Sequence, residues 1–101
     1  MNIELTFEEK RALMKIDGVV TTENAYLFQE KLDEVLKNDV KKLDIDFSAC
    51  RIISSTGIGK LLLFYKDFIS KNGEVEIIKC SPGVYDLFST IKLNQLMTIN
   101  L

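Results

Sequence analysis

Apolar and polar side chains alternate over two early stretches, Ile3-Leu5-Phe7 and Ala12-Met14-Ile16, which is the period of a half-buried strand. Glu8-Glu9-Lys10 between them predicts a hairpin, and Asp17-Gly18 predicts a turn that ends the second strand. The period then changes. Ala25, Phe28, Leu32, Val35 and Leu36 recur at helical spacing, so an amphipathic helix is expected from Glu23 to Lys37, with Thr21-Thr22 as its N-cap. Alternation returns at Leu43, Ile45 and Phe47. A polar stretch, Ser48 to Arg51, leads to Ile52-Ile53.

A second helix is predicted from about Thr56 or Ile58 to Lys71, with apolar positions Ile58, Leu61, Leu62, Phe64, Tyr65, Phe68 and Ile69 and an Asn72-Gly73 stop. At least one of Leu62 and Phe64 must face the core. Val75, Ile77 and Ile78 read as a further strand. Ser81-Pro82 opens a short helix with Pro82 at its first position, which turns Val84, Leu87 and Phe88 inward, and Leu96 to Leu101 reads as a last strand. The order ββαβαβαβ is that of an α/β fold: a mixed sheet of four or five strands, with helices packed mainly on one face and a right-handed crossover through the long helix.

Composition narrows the chemistry. The 101 residues are 47% hydrophobic and 28% charged, enough for one core and not for two, so a single domain over residues 1–101 is expected. Thirteen basic and fifteen acidic residues leave a net charge of −2, with no basic excess to release counterions from DNA or RNA; no nucleic-acid partner is expected. Histidine is absent, which removes the commonest general base and zinc ligand. Cys50 and Cys80 are too few and too far apart for a metal site or a disulfide framework; two reduced, half-buried thiols are expected. No apolar run approaches the roughly 20 residues of a membrane span, and Met1-Asn2-Ile3-Glu4 lacks the basic head of a signal peptide. A cytoplasmic protein with no membrane insertion, no metal and no cofactor is the expectation.

The distinctive segment is Ile52-Ile53-Ser54-Ser55-Thr56-Gly57-Ile58-Gly59-Lys60. A strand end runs through three hydroxyls and two glycines into a helix, where unpaired N–H groups and the helix dipole favour negative charge. Three readings fit these residues: Ser54 or Ser55 as a plain helix cap, a nucleotide loop, or a phosphoacceptor serine. A Walker A loop needs Gly-x-x-x-x-Gly-Lys and then Ser or Thr; here Ser54 stands at the first glycine and Leu61 follows the lysine. Asp44 and Asp46 share one strand face, which predicts a solvated face and not a catalytic pair. No nucleophile–base pair is legible.

Leu43-Asp44-Ile45-Asp46-Phe47-Ser48 followed by Ile52-Ile53-Ser54-Ser55-Thr56-Gly57-Ile58-Gly59 resembles the signature of STAS domains, and most closely that of the bacterial anti-sigma factor antagonists. Gly73 through Cys80, Ser81-Pro82-Gly83-Val84 with Leu87-Phe88, and Thr22 with Ala25 extend the likeness over nearly the whole chain. The resemblance implies a non-enzymatic, phosphorylation-controlled partner switch. Ser55 is then the phosphoacceptor, and Ser54, Ser55, Thr56, Gly57, Ile58 and Gly59 contact the partner. The partners implied are an anti-sigma factor serine kinase of GHKL type and a PP2C-type phosphatase, with the free protein a monomer. Ser54 stands where the family has aspartate, and Lys60 where it more often has an apolar or small residue. The alternatives are a STAS adaptor subunit of a membrane transport or stress-signalling assembly, and a small-ligand or nucleotide binder.

Overall fold

The computed structural model describes residues 1–101. Six strands and three helices follow in the order β1 (Asn2–Glu8), β2 (Arg11–Val20), α1 (Ala25–Lys37), β3 (Lys42–Phe47), β4 (Cys50–Ile53), α2 (Ser55–Ser70), β5 (Glu74–Cys80), α3 (Pro82–Thr90) and β6 (Thr98–Ile99). The mixed sheet runs β1-β2-β3-β5-β6, and β4 pairs with β2 off this path. Only β1 is antiparallel to its neighbour. The expected mixed sheet with helices on one face is present, with six strands where four or five were expected.

The extra pairing comes from β2. Instead of ending at Asp17-Gly18, the strand continues to Val20. Arg11 to Lys15 pair with β3; after Gly18, Val19 and Val20 pair with Ile52 and Ile53 of β4, across a register shift. Gly18 has φ +109°, a conformation that side chains strain to adopt. The extra residue at this shift is Arg51 of β4, between the partners of Gly18 and Val19, and Cys50-Arg51, expected in a polar link, belong to β4. A second bulge lies on β5. Asp46 pairs with Lys79 after Ile45 has paired with Ile77, so Ile78 is the extra residue and Cys80 returns to the core face opposite Phe47.

One face of the sheet carries the core. Met14, Ile16, Leu43, Ile45, Phe47 and Ile77 are fully buried there, beneath Phe28 and Leu32 of α1, Leu61 and Phe68 of α2 and Phe88 of α3. Phe47 is the centre, with the rings of Phe28 and Phe88 edge-on at 6.3 and 5.4 Å. The opposite face carries Lys42, bonded to Glu76 at 2.8 Å and Glu74 at 3.0 Å, and Arg11, bonded to Asp44 at 3.0 Å. Burial opposes the Lys42 ammonium, but its bonds to Glu76 and Glu74 and the Asp44 charge outweigh this and raise its pKa. Asp46 is also partly buried; its bond from Ser48, with Lys79 and Lys15 nearby, lowers its pKa despite that burial. Asp44 and Asp46 thus belong to a solvated, ion-paired face.

Along α2, Leu61, Phe64 and Phe68 are buried, whereas Leu62 and Ile69 lie outward. The helix is apolar on more sides than one sheet can cover. Phe64 stacks on Phe68 with centroids 5.0 Å apart. The last strand is only Thr98–Ile99, because a short turn over Leu93–Gln95 takes up the chain before it. No helix is long and apolar enough to cross a membrane.

Both cysteines are buried and not half-buried. Burial raises the Cys50 thiol pKa, and burial with the Asp46 and Cys50 charges pushes Cys80 up to about 11. A pKa raised by folding favours the neutral thiol in the native state. Its stabilising contribution is intact below the ordinary thiol value of 9.0 and falls as pH rises toward about 11. Titrating native protein with a thiol-specific disulfide reagent at pH 8 should leave both thiols unreacted until denaturant is added. Alkaline loss of stability between those values should shrink in Cys80→Ala. In chemical denaturation, Phe64→Ala should cost about 3–5 kcal/mol and Leu62→Ala under about 1 kcal/mol.

Candidate functional site

The segment from Ile53 to Gly59 passes from sheet to helix in one residue. The Ser54 N–H donates to the Val20 carbonyl at 2.9 Å and extends the β2–β4 pairing. Its φ and ψ of −72° and 163° are those of an N-cap, and its Oγ accepts from the Gly57 N–H at 3.1 Å. Of the two serines, Ser54 is the plain helix cap. Ser55 is then the first residue of α2, and it is exposed. The N–H groups of Ser55 and Thr56 have no acceptor within the chain, so two donors and the positive end of a sixteen-residue helix surround the Ser55 hydroxyl.

Gly57 points the other way. It is buried, and a Cβ there would stand 2.8 Å from both Ile53 Cγ1 and Val20 Cγ1. The glycine lets the first turn of α2 lie directly on β2 and β4. Close approach here is to the protein's own core, although the resemblance puts Gly57 among the residues that contact a partner. Gly59 does leave open space, since a Cβ there would meet no atom within 4 Å. Ile58 is half-buried against the core, and Thr56 is half-buried beside it. Of the six candidate residues, Ser55 is therefore the exposed one and Gly57 the buried one; Ser54, Thr56, Ile58 and Gly59 lie between.

Two neighbours escape a reading by periodicity. The Thr56 hydroxyl donates to Thr22 Oγ1 at 3.5 Å, which brings the loop before α1 to the start of α2. That loop is held by an exchange between Thr21 and Asn24: each backbone N–H donates to the other's side-chain oxygen, at 2.7 and 3.0 Å. Asn24, not Thr21 or Thr22, holds the N-cap position of α1. Ile52, which patterning assigns to a core strand, is 56% exposed next to the site. Nothing in the local sequence distinguishes it from Ile53.

The polar side chains of residues 54–59 are the hydroxyls of Ser54, Ser55 and Thr56. No cluster of three or more His, Cys, Asp or Glu side chains is placed to hold a metal. Two open clefts of about 310 and 320 Å³ lie elsewhere, one lined by Asp17, Asp46 and Ser48, the other by Tyr65, Ile69 and Leu96, and neither touches residues 54–59.

Residues 2–101 match the STAS domain family. Among solved structures, the chain is similar to the anti-sigma factor antagonist SpoIIAA in its unphosphorylated form, at TM-score 0.84 and 16% identity over 99% of this chain and 89% of that one. It is similar to the Bacillus cell fate determinant SpoIIAA in the phosphorylated form at TM-score 0.77 and 15% identity, over 99% and 92%. An anti-sigma factor antagonist from Mycobacterium paratuberculosis matches at TM-score 0.86 and 15% identity, over 97% and 83%.

The cap and the close packing make separate, measurable contributions. Ser54→Ala should cost about 0.5–2 kcal/mol of stability through the lost cap. Gly57→Ala should cost about 1–3 kcal/mol through overpacking against Val20 and Ile53. Gly59→Ala should be neutral or slightly stabilising, since helical alanine is favoured by up to about 1 kcal/mol. Urea denaturation of the three variants checks this order.

Proposed function

We propose that this chain, which belongs to the STAS domain family, is an anti-sigma factor antagonist whose partner binding is switched by phosphorylation of Ser55. The observation that carries the reading is the exposure of Ser55 at the first position of α2, directly after a serine already committed to capping. A kinase can reach this hydroxyl without unfolding anything. Residues 1–101 act as one STAS domain, with no turnover of their own. The partners are an anti-sigma factor serine kinase of GHKL type, bound when Ser55 is free, and a PP2C-type phosphatase that restores the free form.

The switch acts on the interface and not on the fold. A phosphate adds about −1.5 to −2 charges. At the start of α2 it gains roughly 0.3–1 kcal/mol from the dipole and free N–H groups. The cap beside it is neutral, because Ser54 stands where the family has aspartate, so no carboxylate on the adjacent residue opposes the new charge. Support for an intact fold comes from the neighbours, since both the phosphorylated and the unphosphorylated SpoIIAA share this architecture. Against a packed partner surface the same charge must be desolvated, at a cost of several kcal/mol unless a cation meets it.

A net penalty of about 2–5 kcal/mol weakens the complex roughly 30- to 4,000-fold. Ser55→Ala should bind the cognate kinase and take up no label from ATP. Ser55→Asp should fold normally and bind weakly, and Ser54→Ala should still be phosphorylated. Labelling on Ser54 in place of Ser55 would reassign the acceptor. Partner binding unchanged in every variant would defeat the antagonist reading in favour of a STAS adaptor in a larger assembly.

A further inference from the structure

The end of α2 is closed by backbone bonds and one tight packing contact. The Lys71 and Gly73 N–H groups both donate to the Phe68 carbonyl, at 3.1 and 2.8 Å, and the Asn72 N–H donates to the Ile69 carbonyl at 2.9 Å. Asn72 lies between them with φ +65°, as the left-handed residue of a Schellman cap. Asparagine is among the few residues with a side chain that adopt this conformation readily. The glycine that often fills that place comes one residue later, for a different reason. Gly73 is buried, and a Cβ on it would stand 2.6 Å from the Phe68 ring. Backbone geometry at one position and packing at the next thus favour an Asn-Gly pair. Of the six asparagines in the chain, Asn72 alone precedes a glycine.

We propose that Asn72 is a site of spontaneous deamidation, which the closed helix end holds back and which local opening of residues 68–73 releases. The nucleophile is the Gly73 main-chain nitrogen, unhindered because its residue has no Cβ. It gives its proton to hydroxide and bonds to Asn72 Cγ, and the side-chain nitrogen leaves as ammonia. Water then opens the five-membered imide at either carbonyl, which leaves an aspartate or an isoaspartate at position 72. In the closed end the Gly73 N–H is bonded to the Phe68 carbonyl, so the nitrogen cannot be deprotonated and turned onto Asn72 without breaking the cap. The fold accepts the two products unequally. Aspartate alters only a side chain that is exposed. Isoaspartate adds a methylene to the main chain ahead of Gly73, whose Cα is packed against the Phe68 ring with no room beside it. A molecule that reacts to isoaspartate therefore cannot close the cap again. The reaction turns a transient opening of α2 into a permanent one, at the end of the helix opposite Ser55.

Incubation at pH 8 with and without urea, followed by peptide mass spectrometry, tests this. In the unfolded chain Asn72 should lose ammonia faster than any other asparagine. In the folded protein the loss should be at least about tenfold slower, set by the fraction of open helix ends. Below the unfolding transition it should rise with added urea in step with hydrogen exchange of the Gly73 amide. Asn72→Gly, which suits the left-handed position, should fold and abolish the reaction. Asn72→Asp should unfold at nearly the wild-type urea concentration, whereas the isoaspartate form, separated chromatographically after the urea incubation, should unfold at a lower one. Equal rates at Asn72 in folded and unfolded protein, faster loss at another asparagine in the unfolded chain, or an isoaspartate form as stable as wild type would overturn the proposal.

Discussion

β2 is the one element hydrogen-bonded to three others, and the rest of the molecule is arranged by where it bends. Its first half pairs with β1 and β3; from Gly18 onward its last residues pair with β4. At that end Val20 performs two tasks. Its carbonyl accepts the Ser54 N–H, and its side chain lies where any substituent on Gly57 would have to go. The position of the α2 start is therefore set by the backbone of β2, through β4, with one residue of slack. The exposed Ser55 is placed here by the sheet and not by a flexible loop.

Burial is one-sided and wholly apolar in character. All 26 buried residues are apolar or glycine, with no buried polar or charged side chain. Such a core stabilises without offering chemistry, since perturbed acids and bases need polar groups held away from water. Its two buried thiols have pKa values pushed upward, which suppresses the reactive thiolate.

The same separation bears on regulation. A modification that adds charge within the core would unfold a domain of this size, whose stability is only about 5–15 kcal/mol. At the first turn of α2 the charge instead meets free N–H donors and solvent. The site can therefore take a large electrostatic change locally, while Val20, Ile53 and Gly57 behind it stay packed.

Much of this was legible in the chain. Alternation at Ala12-Met14-Ile16 and Leu43-Ile45-Phe47, and helical spacing at Phe28-Leu32-Val35, determine which face is buried, because the strand and helix periods leave only one continuous apolar side. The run from Ser54 to Gly59 likewise announced a capped helix start, because its hydroxyls and glycines are local signals. Tertiary structure decided what local signals leave open. Gly18 reads as a turn in sequence and lies within a continuous strand in space, since a glycine's freedom does not say which neighbour the chain bends toward. Phe64 over Leu62, and the exposed Ile52 beside the buried Ile53, depend on which side the sheet happens to lie. That Gly57 must be a glycine is likewise a tertiary fact, because the atoms that require it, on Val20 and Ile53, come from two different strands.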